Sequence, residues 1–476
     1  MREKEKKKRT RNSNRELHVI MYLFVTLFLC MMGYFVYYVA VPGPVDINNS
    51  YNTRQENLAQ KVVRGKILAN DKEVLAQTEV SSDGTETRSY PFGKLFSHAV
   101  GFSTRGKTGI ESQGNINLLT SNAYVVERIQ NNIEEQKNIG DNVITTLDVK
   151  LQQVAYEALG VYKGAIIVME PDTGKVLTMV SKPDFDPNTI NDLWEEISSD
   201  TEESPLLNRA TQGLYPPGST FKIVTLLEYI RENTNYTDYH YDCNGKFTNN
   251  GITVNCYHNA SHGSEDIYKS FAKSCNSSFA NIGLTLDENS FKKTCEQLLF
   301  NKDLPIKIPF NRSEFSLKSG AGTEEIMHTA IGQGQTQITP MHMAMITCAI
   351  ANQGVLKKPY VIDRIENYNG DVIKNYSSSS YGNLMTQEES AILTDFMEEV
   401  VQNGTGTKLK GQSYTVAGKT GSAEFGAQKG ESHAWFTGFS NVENPDIVVT
   451  VIVEGAGSGG DYAVPMAKRI FDAYYN

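Results

Sequence analysis

The 476-residue sequence has little of what marks fibrous, coiled-coil or disordered chains. Glycine and proline number only 38 and 15, and charged residues make up 21% against 39% for hydrophobic residues. The chain also lacks internal repeats and long low-complexity tracts. These scarcities exclude collagen, a coiled coil and wholesale disorder, and they leave a mainly globular protein.

One segment lacks charge altogether. Residues 19–41 hold no charged side chain over 23 residues, and at about 1.5 Å rise per residue such a helix spans the roughly 30 Å hydrocarbon layer of a membrane. A buried core helix would not stay apolar on every face for so many turns. A cleaved signal peptide is the closer alternative, but its apolar core is about 7–15 residues long, and Tyr38-Val39-Ala40 is a poor cleavage site. We therefore predict an uncleaved membrane anchor over residues 18–41.

Positive charge is concentrated before this anchor. Residues 1–17 hold 8 Lys/Arg against 3 Asp/Glu, a net +5 in a chain whose total is −10, so the remaining residues carry −15. The positive-inside tendency then keeps the N-terminus in the cytoplasm and places residues 42–476 outside. Because the basic tail is short and the rest of the chain is acidic, nucleic-acid binding is not predicted.

Cysteine is sparse and shows no clear ligand pattern. Cys30 falls inside the anchor, which leaves five cysteines outside, so at least one external thiol is free unless it pairs between chains. Cys243, Cys256, His258 and His262 are close in sequence, but there is no C-x₂₋₄-C pair and the spacing matches no zinc pattern. Cys243 and Cys256 form either a disulfide or two free thiols, and no metal site is predicted.

The external part of the chain changes character along its length. Residues 42–58 are rich in turn-forming residues and predict a linker, residues 59–140 carry no catalytic constellation, and clear periodicity begins near Thr146. The periodic segments are a helix over 151–159 ended by Gly160, strands over 164–170, 175–180, 434–439 and 447–453, and a closing helix over 462–475. Residues 205–410 are predicted to be mostly helical, including a helix capped by Thr339 with Pro340 in its first turn. The pattern indicates an α+β fold, in which terminal helices flank an antiparallel sheet built from both ends of the domain.

The first candidate for catalysis is the segment Pro216-Pro-Gly-Ser-Thr-Phe-Lys222. Apolar residues repeat with helical period directly after it, so Ser219 lies at a helix N-terminus and Lys222 lies one turn further on the same face. A serine hydroxyl becomes nucleophilic when a nearby amine of lowered pKa takes its proton, and the N–H groups of a helix N-terminus stabilise an oxyanion. S-x-x-K also occurs by chance, so the motifs that follow it decide whether this segment is catalytic.

Two further motifs come later, Lys273-Ser-Cys-Asn276 and Ala417-Gly-Lys-Thr-Gly-Ser422. S-x-x-K, a serine–x–asparagine triplet and K-T-G in this order are typical of penicillin-binding proteins and class A β-lactamases. The chain resembles the class B penicillin-binding proteins, monofunctional peptidoglycan D,D-transpeptidases, over nearly its whole length. Cys275 stands where class A β-lactamases have aspartate, which favours the transpeptidases. Further segments that carry the resemblance are Asn208-Arg-Ala210, Ile331-Gly-Gln-Gly334, Gly404-Thr-Gly406, Trp435-Phe-Thr-Gly438 and, in the family's pedestal, Arg64-Gly65 and Gly109-Ile-Glu111.

This resemblance implies a role for each motif. The catalytic residues would be Ser219, Lys222, Ser274 and Asn276, and the substrate-binding residues would be Lys419, Thr420, Gly421 and Ser422. Lys222 would deprotonate Ser219, which attacks the D-Ala-D-Ala bond of a peptidoglycan stem peptide, releases D-Ala and passes the acyl group to a second stem. Ser274 would relay a proton to the amine, and the N–H groups of Ser219 and Ser422 would form the oxyanion hole. No metal and no organic cofactor is implied.

The resemblance also implies an architecture and partners. The domains would be a cytoplasmic tail over 1–17, a transmembrane helix over 18–41, a linker and non-catalytic pedestal over 42–145, and a transpeptidase domain over 146–476 with a mainly helical subdomain. The expected partners are stem peptides ending in D-Ala-D-Ala, β-lactam antibiotics, the cell membrane, and a polytopic lipid II polymerase of the shape, elongation, division and sporulation type. No motif indicates which of these cellular processes the protein serves, or which amine is the acceptor.

Related functions remain open alternatives. A β-lactamase must hydrolyse its acyl-enzyme, but the E-x-x-L-N segment that class A enzymes use for this step is absent between the second and third motifs. A membrane-bound β-lactam sensor would need a cytoplasmic effector, and few residues precede the anchor. An inactive structural homologue is disfavoured by three intact motifs. A D,D-carboxypeptidase, which uses water as acceptor, is the alternative that the sequence excludes least.

Overall fold

The computed structural model describes residues 2–40, 54–425 and 431–476, which form one unit up to Lys61 and a second unit from Val62 onwards. The first unit contains helix α1 (Arg2–Ala40) and the short helix α2 (Arg54–Ala59). Within the segment Arg15–Tyr37 of α1, an 18-residue window has a mean hydropathy of 2.3. Among the described residues only this helix is long and apolar enough to cross a membrane. The predicted anchor is therefore a continuous helix up to Ala40, whereas Val41 and most of the predicted linker lie outside the described residues.

The second unit holds the remaining helices and all strands of the described chain. The helices are α3 (Ser97–Val100), α4 (Gly109–Gln113), α5 (Asn115–Leu118), α6 (Val125–Ile133), α7 (Val149–Leu159), α8 (Trp194–Ser199), α9 (Lys222–Glu232), α10 (Ile267–Ala272), α11 (Asn276–Gly283), α12 (Glu288–Gln297), α13 (Thr323–Ala330), α14 (Pro340–Ala351), α15 (Gln387–Asn403) and α16 (Ala463–Tyr475). The strands are β1 (Val62–Val63), β2 (Ile67–Leu68), β3 (Val74–Val80), β4 (Glu86–Ser89), β5 (Asn138–Ile139), β6 (Asn142–Thr145), β7 (Gly164–Met169), β8 (Val176–Lys182), β9 (His240–Cys243), β10 (Lys246–Asn249), β11 (Ile252–Asn255), β12 (Gly263–Asp266), β13 (Val355–Lys357), β14 (Ile362–Glu366), β15 (Val372–Asn375), β16 (Ser380–Asn383), β17 (Val416–Glu424), β18 (Ser432–Ser440) and β19 (Val448–Val453).

A six-stranded sheet organises the part of the chain that the sequence assigns to the pedestal. Its strand order is β15-β14-β6-β2-β3-β4, with β2 and β6 parallel at the centre. β14 pairs antiparallel with β6, so that Ile365 lies opposite the buried Val143. The chain thus returns from the middle of the catalytic region to complete this sheet, which combines strands from both sides of residue 146.

A buried ion cluster holds the same region together. Glu111 is fully buried, and its carboxylate accepts hydrogen bonds from Arg64 Nε at 2.7 Å, Arg88 Nε at 2.7 Å and the Tyr90 hydroxyl at 3.2 Å. Burial alone would raise the pKa of Glu111, but the charges of Arg88 and Arg64 outweigh that effect and leave the pKa below its ordinary value. The two pedestal segments of the sequence resemblance therefore meet in one ion pair.

Replacing Glu111 with alanine is expected to lower the free energy of unfolding by about 3–5 kcal/mol, because it leaves two guanidinium groups in a buried site without their counter-charge. Urea unfolding of the full chain in detergent, followed by circular dichroism, measures this loss. Glu86→Ala is the matched control, because Glu86 pairs with Lys137 at a more exposed site and such a pair contributes about 0–1 kcal/mol. Equal losses in the two variants would contradict a structural role for the Glu111 cluster.

The second large sheet is antiparallel with the order β17-β18-β19-β7-β8. Successive side chains of β7 alternate between two cores: Ile166 and Val168 pack with α7 and α16, whereas Ile167 and Met169 pack with the central helices. Both faces of the sheet are therefore covered, which explains why the central strands β7 and β19 are almost continuously apolar. The predicted sheet, with strands from both ends of the domain and flanking terminal helices, is confirmed.

The region between these strands is less helical than its sequence predicts. The predicted helix α14 is present, and Thr339 caps it by accepting a hydrogen bond from His342 N at 3.2 Å. However, β9 pairs with β12, β10 with β11, and β13 with β16 in three small two-stranded sheets. The β10–β11 turn is Asn250-Gly251, with both residues at positive φ, and an Asn-Gly pair is a strong hairpin signal.

Candidate active site

The turn that carries Ser219 is fixed from two sides. Gly218, at φ +52°, begins a 3₁₀ turn that continues directly into α9 at Lys222. Ser219 therefore lies at the N-terminus of this helical segment, as predicted, in the 3₁₀ turn rather than in α9 itself. Gly218 N donates to Gly332 O at 2.9 Å, and Trp435 Nε1 donates to Pro216 O at 3.1 Å. A Cβ on Gly218 would come within 2.9 Å of Ala423 Cβ, so a larger residue would push the turn away from β17. Ser219 is half-buried and lines a cleft.

Lys222 lies beneath this turn and contacts the second motif. Its side chain is fully buried, and Nζ donates to Ser274 O at 2.7 Å, Ser274 Oγ at 3.3 Å and Asn276 Oδ1 at 2.7 Å. Burial lowers the pKa of Lys222 to about 8, and the nearby Cys275 opposes that shift. The amine is thus held by acceptors on one side, and an appreciable fraction of it is neutral near neutral pH.

Two buried lysine amines contact the same hydroxyl. Lys419 Nζ of β17 donates to Ser274 Oγ at 2.9 Å, and Lys222 Nζ contacts the same oxygen. Burial, followed by the positive charge of Lys222, holds the pKa of Lys419 well below its ordinary value. Ser274 occupies a left-handed conformation at φ +58°, which is costly for a non-glycine residue and is typical of functional sites. The hydroxyl therefore connects the first and third motifs through the second.

The third motif lies on an edge strand. Among the described strands, β17 is the terminal one of its sheet and pairs with β18 alone. A Cβ on Gly421 would lie 3.2 Å from Pro217 O, so this glycine allows the strand to approach the Ser219 turn closely. Thr420 Oγ1 lies 2.5 Å from Thr405 Oγ1, and Ser422 Oγ accepts a hydrogen bond from Gly459 N at 3.2 Å.

The motifs open into one cleft of about 430 Å³. Of the eight residues predicted as site residues, six line it, namely Ser219, Ser274, Asn276, Thr420, Gly421 and Ser422, and the two buried lysines, Lys222 and Lys419, lie behind its wall. The cleft also contains residues that sequence reasoning missed, namely Thr405, Thr407, Lys408, Ser458 and Asp461. Only the Gly404-Thr-Gly406 segment gave a signal for any of them; Lys408 and Asp461 form an ion pair at 2.8 Å that is recognisable only in three dimensions.

The two alternatives for Cys243 and Cys256 are resolved by the structure. Both are free thiols, with their sulfur atoms 3.7 Å apart, so the disulfide alternative is wrong. Cys256 Sγ lies equally close to Cys275 Sγ, at 3.7 Å. The middle residue of the second motif is therefore part of a group of thiols.

Two known protein families match separate parts of the chain. Residues 164–472 match the penicillin binding protein transpeptidase domain, and residues 64–143 match the penicillin binding protein A dimerisation domain. Peptidoglycan D,D-transpeptidase PbpA of Mycolicibacterium smegmatis is 29% identical over 445 residues, which cover 86% of this chain and 88% of that protein.

Two solved structures share the fold. The D,D-transpeptidase domain of a peptidoglycan glycosyltransferase from Eggerthella lenta has a TM-score of 0.77 at 30% identity, covering 87% of this chain and 98% of that one. Penicillin-binding protein A from M. tuberculosis, solved as a ceftriaxone acyl-enzyme complex, has a TM-score of 0.80 at 25% identity, covering 88% and 100%. With its three motifs gathered in one cleft and two thirds of its length matching the transpeptidase domain, the chain belongs to the penicillin-binding protein family.

Proposed function

We propose that this protein is a serine-type peptidoglycan D,D-transpeptidase that forms its acyl-enzyme on Ser219. The observation that carries the proposal is the contact of Ser274 Oγ with both Lys222 and Lys419 beside the Ser219 turn. A nucleophile, a buried amine of lowered pKa and a second cation at one cleft are the parts that acyl transfer from a C-terminal dipeptide requires.

In the first half-reaction Ser219 Oγ bonds to the carbonyl carbon of the penultimate D-Ala while its proton passes to the neutral amine of Lys222. The negative oxygen that develops is stabilised by the backbone N–H groups of Ser219 and Ser422. The carbon–nitrogen bond then breaks, and the departing D-Ala amine receives a proton through Ser274. The hydroxyl suits this relay because it contacts the Lys222 ammonium, which carries the proton taken from Ser219.

In this proposal β17 and the second motif bind the substrate. The free edge of β17 can pair with an extended stem peptide, as a strand added to a sheet. Lys419 supplies positive charge for the terminal carboxylate, Thr420 supplies a hydroxyl, and Gly421 leaves room for the peptide. The amide of Asn276, whose Nδ2 donates to Asn255 O at 3.0 Å, is held in place to contact the peptide backbone.

The acceptor distinguishes a transpeptidase from a D,D-carboxypeptidase. We propose that the amine of a second stem peptide attacks the Ser219 ester and regenerates the enzyme. Incubating the full chain with a donor and an acceptor stem peptide should yield a cross-linked dimer together with free D-Ala, as resolved by mass spectrometry. Free D-Ala without a dimer would establish the carboxypeptidase alternative, and formation of either product by Ser219→Ala would overturn the mechanism.

The acyl complex with a β-lactam is expected to persist for many minutes. A β-lactamase needs a base to activate water, and the single carboxylate among the described residues that line the cleft, Asp461, is engaged by Lys408. Mass spectrometry of the intact chain over time after removal of excess penicillin measures the persistence. Rapid loss of the adduct with repeated turnover of the drug would favour the β-lactamase instead.

For the remaining chain we propose the arrangement that its charge indicates. Residues 1–17 lie in the cytoplasm, residues 18–41 cross the membrane once, and the pedestal over 42–145 and the transpeptidase domain over 146–476 lie outside. The membrane helix and pedestal would contact a lipid II polymerase of the shape, elongation, division and sporulation type. Protease added to intact cells should remove the catalytic domain and leave the basic tail protected; the reverse pattern would contradict this orientation.

A further inference from the structure

Three cysteines and one histidine come together beside the second motif. Cys243, Cys256, His262 and Cys275 each direct one ligand atom toward the others, and these four atoms all lie within 4.8 Å of one another. The cysteines are at most 3% exposed, and the acyl-transfer mechanism uses none of the four side chains. A buried group of three thiols and an imidazole therefore needs its own explanation.

Three of the six distances between these ligand atoms match the edges of a tetrahedral zinc site, and all six are within 4.8 Å. Zn–S bonds of about 2.3 Å at tetrahedral angles place two sulfur atoms about 3.8 Å apart, and a sulfur and an imidazole nitrogen about 3.6 Å apart. Cys256 Sγ lies 3.7 Å from both Cys243 Sγ and Cys275 Sγ, and Cys243 Sγ lies 3.4 Å from His262 Nδ1. These separations are too long for a disulfide and lie within about 0.2 Å of the edges of a zinc tetrahedron.

The fold brings the four residues together from four elements. Cys243 ends β9 and Cys256 follows β11, and the β10–β11 hairpin between them closes with a hydrogen bond from Cys256 N to Gly245 O at 2.9 Å. His262 immediately precedes β12, whose first residue lies opposite Cys243 in the β9–β12 pair. Cys275 is the N-cap of α11. The ligands come from a sheet, a hairpin and a helix terminus, so sequence spacing does not reveal them.

The surroundings of the cluster favour a bound cation. Each sulfur has a polar neighbour within reach: Gly245 N donates to Cys243 Sγ and Ser278 N donates to Cys275 Sγ, each at 3.4 Å, and Ser277 Oγ lies 3.0 Å from Cys256 Sγ. Such donors stabilise metal-bound thiolates.

A carboxylate also faces the cluster. Glu265 is 1% exposed, and its Oε1 has no hydrogen-bond partner among the described residues. This oxygen lies 3.9 Å from His262 Nδ1. A buried carboxylate oxygen without a donor is costly, and a cation beside it removes much of that cost.

We infer that Cys243, Cys256, His262 and Cys275 bind one zinc ion. Soft thiolate ligands select zinc over hard cations such as magnesium or calcium, and three cysteines with one histidine form a closed, four-coordinate set of the kind that stabilises folds. His262 reaches the cleft surface, which gives the ion a route of entry.

The ion has a consequence for the active site, and this second part rests on the proposed acyl-transfer function. Cys275 stands between Ser274, which is held at φ +58°, and Asn276, so a metal bond to its sulfur fixes the turn from which both neighbours contact Lys222. Loss of the ion frees that turn, and a misplacement of about 1 Å in a catalytic group slows a reaction by about 10²-fold.

Elemental analysis of the full chain, purified in detergent without added metal or chelator, tests the site. The expected result is about one zinc per chain, with Cys243, Cys256 and Cys275 protected from an alkylating reagent until a strong chelator is added. Cobalt substitution should give the intense visible bands of tetrahedral thiolate coordination. A metal-free chain that stays so after incubation with zinc, or a stoichiometric metal other than zinc, overturns the inference.

Variants distinguish a specific loss of the zinc site from a general disturbance of the fold. Cys243→Ser should lower the zinc content to about one tenth or less, whereas Cys348→Ser, at a buried thiol outside the cluster, should keep it unchanged. Chelating the wild-type chain should slow its acylation by penicillin by about 10²-fold, with recovery on adding zinc back. Unchanged acylation after zinc removal overturns the positioning role, while a zinc-loaded chain that is never acylated overturns the proposed function and leaves the metal site standing.

Discussion

Replacing Ser219 with alanine is expected to reduce covalent labelling by a fluorescent penicillin to background. An ester to the drug needs the Ser219 oxygen, and the neighbouring hydroxyl that could substitute for it, on Ser274, is already engaged by Lys222 and Lys419. In serine hydrolases loss of the nucleophile costs on the order of 10⁶-fold in rate. Gel fluorescence of the purified chain after denaturation measures the labelling directly.

Two results would bear on this expectation. Ser199→Ala is the matched control, because Ser199 ends the surface helix α8 and its hydroxyl donates to the Glu195 and Glu196 carbonyls of the same helix. Its labelling should equal that of the wild type. A Ser219→Ala chain that still labels, with the adduct located elsewhere by peptide mapping, would show that another residue is acylated and that the proposed nucleophile is wrong.

Much of the catalytic fold could be predicted because its signals are local. The apolar runs of β7, β18 and β19 and the helical repeats of α7 and α16 each lie within a short window. Gly160 marks the end of α7, and Thr339 marks the start of α14. The motifs could be predicted for the same reason, since Ser219 and Lys222 share one helical turn.

What could not be predicted depends on contacts between distant segments. β14 joins the pedestal sheet because β6 presents the buried Val143 and Ile144 to a further strand, and nothing near residue 145 in sequence indicates which later segment fills that position. The contact of Ser274 with two lysines likewise depends on the packing of β17 against the Ser219 turn. The Asn250-Gly251 hairpin is the exception, since its signal was local.

Replacing Lys222 with methionine is expected to slow acylation by about 10²–10⁴-fold, the usual contribution of a positioned general base. Methionine keeps the length and burial of the side chain but cannot accept the Ser219 proton. It also leaves Ser274 O and Asn276 Oδ1 without their donor, which costs about 1–3 kcal/mol of stability per buried acceptor. Thermal unfolding should therefore accompany the stopped-flow measurement of the acylation rate.

The pH profile identifies the role of this amine more directly. Because only the neutral amine accepts a proton, the wild-type acylation rate should rise tenfold per pH unit up to the Lys222 pKa of about 8 and level off above it. Lys222→Met should lose this dependence. Lys182→Met is the matched control, since the Lys182 ammonium is also part-buried and donates to the Tyr156 and Gly160 carbonyls outside the cleft; it should keep the wild-type rate and profile.

Lys419 is the rival base, because it too is buried with a lowered pKa and contacts Ser274. If Lys419 binds the substrate carboxylate instead, Lys419→Met slows acylation at every pH but keeps a rising profile. Its midpoint should then move to higher pH, because removal of the nearby positive charge favours the protonated form of Lys222. A flat pH profile in Lys419→Met together with a normal one in Lys222→Met would show that Lys419 is the base and that Lys222 binds the carboxylate. The displaced midpoint thus separates a carboxylate-binding cation from the base, which the loss of rate alone cannot do.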